Sequence, residues 1–224
     1  MNRPPKNSAR RILIVEDHPL MRAGLAQLIN GEADLKVVAE AGTARQAAEV
    51  VRKDHFDLVL LDISLPDKNG LELIKDIQAL QPDLPILAVS MHNEMVYAER
   101  VLRAGGRGYI MKSEGGPQLL LAMRHVLAGK VYVSESMSAR ILDVFAGRQT
   151  DKTGSSVQRL SDREFEVFHL IGQGVGTRAI AEQLHLSVKT VEVHRANIKE
   201  KLGLKTATDL VRYTVRWADA QEKT

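Results

Sequence analysis

Two adjacent acids, Glu16 and Asp17, a third acid at Asp62, a hydroxyl at Ser90 and an ammonium at Lys112 share one property of placement. Each group sits at the end of a short, mainly apolar run: Arg11-Ile12-Leu13-Ile14-Val15, Phe56-Asp57-Leu58-Val59-Leu60-Leu61, Ile86-Leu87-Ala88-Val89 and Tyr109-Ile110-Met111. Three carboxylates gathered on one rim repel each other unless a cation sits among them. Oxygen donors of this kind suit Mg2+, which asks for near-octahedral geometry and keeps several waters. A backbone carbonyl just after Asp62 can add a ligand. Asp62 ends the central run and is the nucleophile candidate, because carboxylates form acyl phosphates. Lys112 suits a phosphate oxygen as a point charge, and Ser90 can donate to another. Acids at strand ends also open loops or cap helices, so one alone means little. Here every run ends in the type the chemistry needs.

The elements that must position these groups follow from periodicity. The runs, with a further one at Leu35 to Ala39, alternate with helix-like stretches at Leu20 to Ile29, Thr43 to Val51, Gly70 to Leu80, Met95 to Ala104 and Gln118 to Leu127. Such βα alternation predicts a parallel sheet covered by helices on both faces, with right-handed crossovers. The expectation is an α/β domain over 10–130, a five-stranded doubly wound parallel sheet. Its site belongs in the crevice beyond the carboxyl ends of the strands.

Residues 131–156 read as a linker carrying a short helix from about Ser134 to Phe145. Its last part, Gly147 to Ser156, lacks apolar residues. Beyond it, 157–224, strand signals stop and four helices are expected. Ser161 and Glu164 form an S-x-x-E capping box. Gly172, Gly174 and Gly176 separate this helix from a second at Thr177 to Leu184. Ser187 caps a third that Gly203 ends, and a fourth runs from about Thr206 to Ala218. Two helices about a tight turn near His185-Leu186, at 175–194, follow the helix-turn-helix plan.

On a wheel of about 100° per residue, Val188, Val191, Ile198 and Leu202 face the core of this all-α domain. Lys189, Val193, Ala196, Asn197 and Glu200 face away, with Thr190 on the margin. Val193 and Ala196 can meet thymine methyls and Asn197 can bond adenine. Lys189, Thr190, Lys199 and Lys201 can hold phosphates. A solvated helix with two incidental small apolar residues gives the same wheel. Arg195 lies near the packed face and either turns outward or pairs with Glu164 or Glu166. His194 reads as a packing or surface histidine.

The first half resembles the receiver domain of two-component response regulators (the flavodoxin-like, CheY-like fold). The resemblance is carried by Ile14-Val15-Glu16-Asp17-His18, Leu60-Leu61-Asp62-Ile63-Ser64-Leu65-Pro66 with Gly70, Val89-Ser90, and Gly105 to Lys112. It implies Asp62 as the site phosphorylated from a sensor kinase histidine, and Glu16, Asp17, Asp62 and the Ser64 carbonyl as the Mg2+ shell. It further implies Ser90 and Tyr109 as a switch pair and Lys112 as the phosphate partner. Ser90 stands where threonine is commoner. Gly105-Gly106-Arg107-Gly108 is richer in glycine than usual, which suggests a flexible loop. The second half is similar to the LuxR-type helix-turn-helix of NarL/FixJ regulators, through Leu160-Ser161-Asp162-Arg163-Glu164, Gly174, Ile180-Ala181, Leu184, Ser187, Lys189-Thr190-Val191, His194-Arg195, Ile198 and Lys201-Leu202. That likeness implies Lys189, Thr190, Glu192, Val193 and Ala196 near DNA. Ala179 departs from it, where an acid is usual. Leu210, Val211, Tyr213 and Trp217 resemble the stripe such modules use for dimer contact, core packing being the other reading.

Composition agrees with this frame without deciding it. The chain has 224 residues, 44% hydrophobic and 26% charged, a net charge of +3 and no cysteine, with a pI near 9.1. Mild basicity permits nucleic-acid binding. No apolar stretch approaches the roughly 20 residues that cross a bilayer, and no signal-peptide core follows the basic start. The expectation is a cytoplasmic, phosphorylation-dependent transcription factor, not an enzyme beyond its own phosphoryl chemistry. Its expected partners are a sensor histidine kinase, double-stranded DNA and, when phosphorylated, a second copy of itself; no membrane is expected. The rivals are a metal-dependent phosphohydrolase, for which Ile63-Ser64 supplies no second acid, a receiver kept only as a dimerisation platform, and a small-molecule-sensing LuxR-type regulator.

Overall fold

Leu58-Val59-Leu60-Leu61 is apolar at every position, so no face of this strand can meet water. It accordingly lies in the middle of the sheet, fully buried. A computed structural model describes residues 9–146, 156–157 and 159–222. In chain order the first unit comprises β1 (Arg10–Val15), α1 (Pro19–Asn30), β2 (Leu35–Ala41), α2 (Ala44–Lys53), β3 (Leu58–Asp62), α3 (Gly70–Leu80), β4 (Ile86–Ser90), α4 (Glu94–Ala104), β5 (Gly108–Met111) and α5 (Gly116–Leu127). The strands are all parallel in the order β2-β1-β3-β4-β5. The winding reverses between β1 and β3, the place where such sheets open a crevice.

Register does the positioning. Val15 pairs with Leu61, Asp62 with Val89, and Ser90 with Met111. Glu16, Asp62, Ser90 and Lys112 therefore leave the sheet on one edge within a single pleat of each other. Ile12, Ile14, Leu58, Leu60, Leu87, Val89 and Ile110 form a core under α1 and α5 with Leu25, Ile29, Leu119 and Met123. The loop after β3 is held at both ends. Asp67 accepts the Ala44 and Arg45 amides at 2.8 and 3.0 Å, capping α2, and Asn69 caps α3 through the Leu71 amide at 2.6 Å. Gly70 starts α3 so close to β3 that a Cβ there would lie 2.6 Å from Ile63 Cα.

A second helix-only unit begins after Ile141. Helix α6 (Glu135–Phe145) spans that border, and residues 131–141, placed in the linker by composition, group with the sheet. The polar stretch 147–155 lies outside the described residues. Then come α7 (Asp162–Gly172), α8 (Thr177–Gln183), α9 (Val188–Leu202) and α10 (Ala207–Glu222). The Ser161–Glu164 capping box is present on α7, and Ser187 accepts the Thr190 amide at 3.0 Å on α9. Phe165 and Phe168 meet Trp217 edge-on, with ring centroids 5.7 and 5.2 Å apart. Ile180, Val191, Ile198 and Leu210 are fully enclosed.

Two readings need correction. Val188 is 45% exposed instead of packed: a wheel assumes a neighbour along the whole helix, whereas packing on α9 starts at Val191. The glycines of 105–108 also serve close packing more than flexibility. A Cβ on Gly106 would lie 2.5 Å from Val101 Cγ1, and one on Gly108 would lie 2.8 Å from the Tyr132 carbonyl. Because the neighbour of Gly70 is backbone that cannot move aside, Gly70→Ala should lower receiver stability by about 1–3 kcal/mol, read as a lower urea midpoint by circular dichroism.

Candidate functional site

The carboxyl edge of the sheet gathers the predicted acids into a nearly closed pocket. Glu16 and Asp62 are 1% and 4% exposed. Between them lies the Lys112 ammonium, 2.7 Å from Glu16 Oε2 and 2.8 Å from Asp62 Oδ2. The Ser64 amide donates to Asp62 Oδ1 at 3.1 Å. Burial pushes the Asp62 carboxyl up, and the attraction of Lys112 offsets this only in part. Burial works against the Lys112 charge too, but Asp62 and Glu16 hold its pKa above the usual lysine value.

Asp17 stands at the mouth. Its Oδ1 is shielded from water and accepts no well-directed hydrogen bond, although the His18 Nδ1 lies 2.8 Å away. Ligand atoms of Glu16, Asp17, His18 and Asp62 all lie within 4.8 Å of each other. An orphaned carboxylate oxygen beside two buried carboxylates is a donor set that fits a hard divalent cation such as Mg2+.

The remaining predicted groups adjoin the pocket. Ser90 and Tyr109 are both 0% exposed. The Tyr109 hydroxyl donates to the His92 carbonyl at 2.7 Å, and the His92 amide donates to Ser90 Oγ at 3.2 Å. Burial pushes the Tyr109 phenol up, well out of the titrating range. His92 was not singled out from the sequence, yet it joins the two loops: its Nε2 lies 3.0 Å from Ser64 Oγ, and its ring stacks on Tyr97 at 4.6 Å. Burial first, then Lys112, lowers its pKa and disfavours the charged ring. A signal was available. His92 follows Ser90 by the offset at which Ser64 follows Asp62, and β3 and β4 are neighbours. His18 was also missed as a group facing the acids, because adjacency in sequence does not reveal ring direction.

In the helical unit, α9 presents exposed Lys189, Glu192, Val193 (51%) and Ala196, with Thr190, Asn197 and Lys199 half-buried. Thr190 Oγ1 also contacts Ser187 Oγ at 2.8 Å. Lys201, expected at a phosphate, has its ammonium 2.6 Å from Glu164 Oε2. Burial would push the Glu164 carboxyl up, but Lys201 and the Ser161 donors hold it below the usual range. Glu166 pairs with Arg163 at 2.7 Å. The α10 stripe divides: Leu210 and Trp217 belong to the core, while Val211 and its neighbour Val215 face solvent.

Comparison with known proteins agrees with this geometry. The response regulator receiver domain family matches residues 12–124, and the family of bacterial regulatory proteins of luxR type matches 158–214. Among curated relatives, the oxygen regulatory protein NreC of Staphylococcus epidermidis is 37% identical over 211 residues, covering 92% of this chain and 97% of its own. A solved structure of RcsB from Salmonella enterica serovar Typhimurium, bound to promoter rprA with phosphomimetic beryllofluoride, is 27% identical with a TM-score of 0.61, covering 93% of this chain and 99% of its own. A LuxR-family response regulator from Aurantimonas is 32% identical with a TM-score of 0.58, covering 62% of this chain and 99% of its own. Sheet and acid pocket define a receiver, and the helical unit defines a DNA-binding reader of transcriptional regulators. The chain belongs to the response regulator family, in its NarL/FixJ branch with a LuxR-type helix-turn-helix. Among the described residues, no helix is long and apolar enough to cross a membrane.

Two measurements check this electrostatic picture. Lys112→Met leaves two buried carboxylates without their cation and should cost about 3–5 kcal/mol. Millimolar magnesium chloride should then raise the urea midpoint more in this variant than in the parent. In the reader, Glu164→Gln keeps the capping box and removes the ion pair. Because the folded pKa of Glu164 is depressed, its contribution is complete above the unfolded value of 4.5 and fades as pH falls through the folded one. The stability gap to the parent should be up to about 1 kcal/mol at pH 7 and vanish in stronger acid.

Proposed function

We propose that Asp62 accepts a phosphoryl group from the phosphohistidine of a sensor kinase and that this controls DNA binding by α9. The single observation that supports it most is the lysine-bridged pocket: Asp62 is backed by Lys112 and Glu16, with Ser90 one strand away. Asp62 Oδ forms the new bond to phosphorus as the histidine P–N bond breaks. The leaving nitrogen keeps the electron pair of that bond, and the product is an acyl phosphate. Glu16, Asp17, Asp62 and the Ser64 carbonyl would hold Mg2+, which supplies positive charge for the phosphoryl oxygens. Lys112 exchanges its carboxylate contact for a phosphoryl oxygen, and Ser90 turns its hydroxyl from the His92 amide toward the same group. A doubly charged group biases a two-state domain only by bonding better in one state, here through Ser90 and Lys112, with Tyr109 following.

In the reader, Lys189, Thr190 and Lys199 hold phosphates, while Glu192, Val193, Ala196 and Asn197 face base edges in the major groove. Val211 and Val215 on α10 suit contact with a second copy, which would set two α9 helices on half-sites about 34–36 Å apart. The unphosphorylated receiver keeps α9 or this dimer face from use. A sensor kinase and double-stranded DNA as partners fit a cytoplasmic protein.

Incubation with acetyl phosphate and Mg2+ should add one phosphoryl mass on the peptide carrying Asp62, and Asp62→Asn should abolish it. A folded, Mg2+-loaded protein that gains no mass overturns the proposal. For the reader, Lys189→Ala should weaken binding to all duplexes and reduce the slope of log affinity against log salt by about one. Val193→Ala should cost about 1 kcal/mol at one base position only, as seen by fluorescence anisotropy on duplex variants.

A further inference from the structure

The chain after α5 does not leave the receiver; it returns to the free edge of the sheet. β5 is an edge strand, and an uncovered edge presents a row of unpaired amides and carbonyls. Tyr132 covers it with an isolated parallel bridge to Gly108. The Tyr109 amide donates to the Tyr132 carbonyl at 2.9 Å, and the Tyr132 amide donates to the Arg107 carbonyl at 3.0 Å. The fit is close enough that a Cβ on Gly108 would lie 2.8 Å from the Tyr132 carbonyl and 3.1 Å from its Cβ. Gln118 Nε2 donates to the Tyr132 hydroxyl at 2.6 Å.

Two residues further on, a second set of contacts reaches α4. The Ser134 amide donates to Glu94 Oε1 at 2.8 Å, and Glu94 is a buried carboxylate in the first turn of α4. The same Ser134 caps α6, its Oγ accepting the Met137 amide at 3.1 Å. The Arg140 guanidinium donates to the Met95 carbonyl at 3.3 Å. Tyr109 is thus tied at both ends. Its hydroxyl holds the loop after Ser90, two residues before Glu94, and its amide holds the segment that leads into α6.

We propose that residues 130–140 form an output strap, read directly by Tyr109 and Glu94, through which the state of the Asp62 pocket leaves the receiver. It rests on Asp62 being the phosphoacceptor. Packed backbone elements shift between discrete arrangements instead of deforming smoothly. A displacement of Tyr109 or of the start of α4 must therefore alter the Tyr109–Tyr132 and Glu94–Ser134 bonds, and with them the start of α6. The segment is part of the receiver's switching surface and not a passive tether.

Amide hydrogen exchange on the full chain, with Mg2+ and with or without beryllofluoride, tests this. The Tyr132 and Ser134 amides should change their exchange rates by about tenfold or more on beryllofluoride addition, while those of Val37 and Val38 on the far edge should not. Gly108→Ala should leave the Tyr132 amide fast in both states. Glu94→Ala should abolish the response at Ser134, and Glu94→Gln, whose amide oxygen still accepts, should keep it. Strap amides that stay unchanged while the Ser64 and His92 amides respond would overturn the strap. Silence at every amide, Ser64 included, would instead strike the acyl-phosphate reading on which it rests.

Discussion

The receiver depends on one ammonium group. Lys112 sits between Glu16 and Asp62 at 2.7 and 2.8 Å, in a place where neither carboxylate can reach water. Without a cation these two acids, buried and adjacent, would repel each other and lose hydration with no return. With it, one of the two charges is offset, and Asp17 at the mouth adds to the negative character that remains. A site in that condition is responsive, because any arriving charge alters every contact in it. Burial, and after it the same lysine, lowers the pKa of the neighbouring His92 ring.

From that pocket the chemistry spreads by close packing. Ser64, Ser90 and Tyr109 come from three different strand ends, and His92 joins all three through its ring, amide and carbonyl. Tyr109 is fully buried, and protein interiors of crystal-like density pass displacement on instead of absorbing it. The rigid end of this chain of contacts is the loop 63–69, fastened by Asp67, Asn69 and the tight approach of Gly70. Its other end is the β5 edge, covered by the isolated bridge from Tyr132.

In the reader, charge is divided between structure and surface. Arg163 and Lys201 are spent inside the fold on Glu166 and Glu164, and Arg163 also donates to the Leu184 carbonyl at 2.5 Å. Those bonds fix α7 to the helices on either side of the turn. They leave Lys189, Val193 and Ala196 outward on a helix whose opposite side is locked by Val191 and Ile198. An aromatic cluster around Trp217 holds α10 in place while keeping Val211 and Val215 at the surface.

Much of this was legible in the residue order. Apolar runs ending in Glu16, Asp62, Ser90 and Lys112 specify parallel strands with a common reactive edge, because the helical stretches between them bring the chain back to start each strand in the same direction, and burial on both faces shows in unbroken apolar runs. The capping box at Ser161, the cap at Ser187 and the end at Gly203 were equally readable, since a helix terminus is decided within four residues. What only tertiary structure decided involves partners distant in sequence and the direction of side chains. The ring of His92 bridging two loops, the capture of Lys201 by Glu164, the exposure of Val188 and the return of Tyr132 to β5 all belong here. Each depends on which surfaces meet, and a periodic pattern names the face of an element without naming its neighbour.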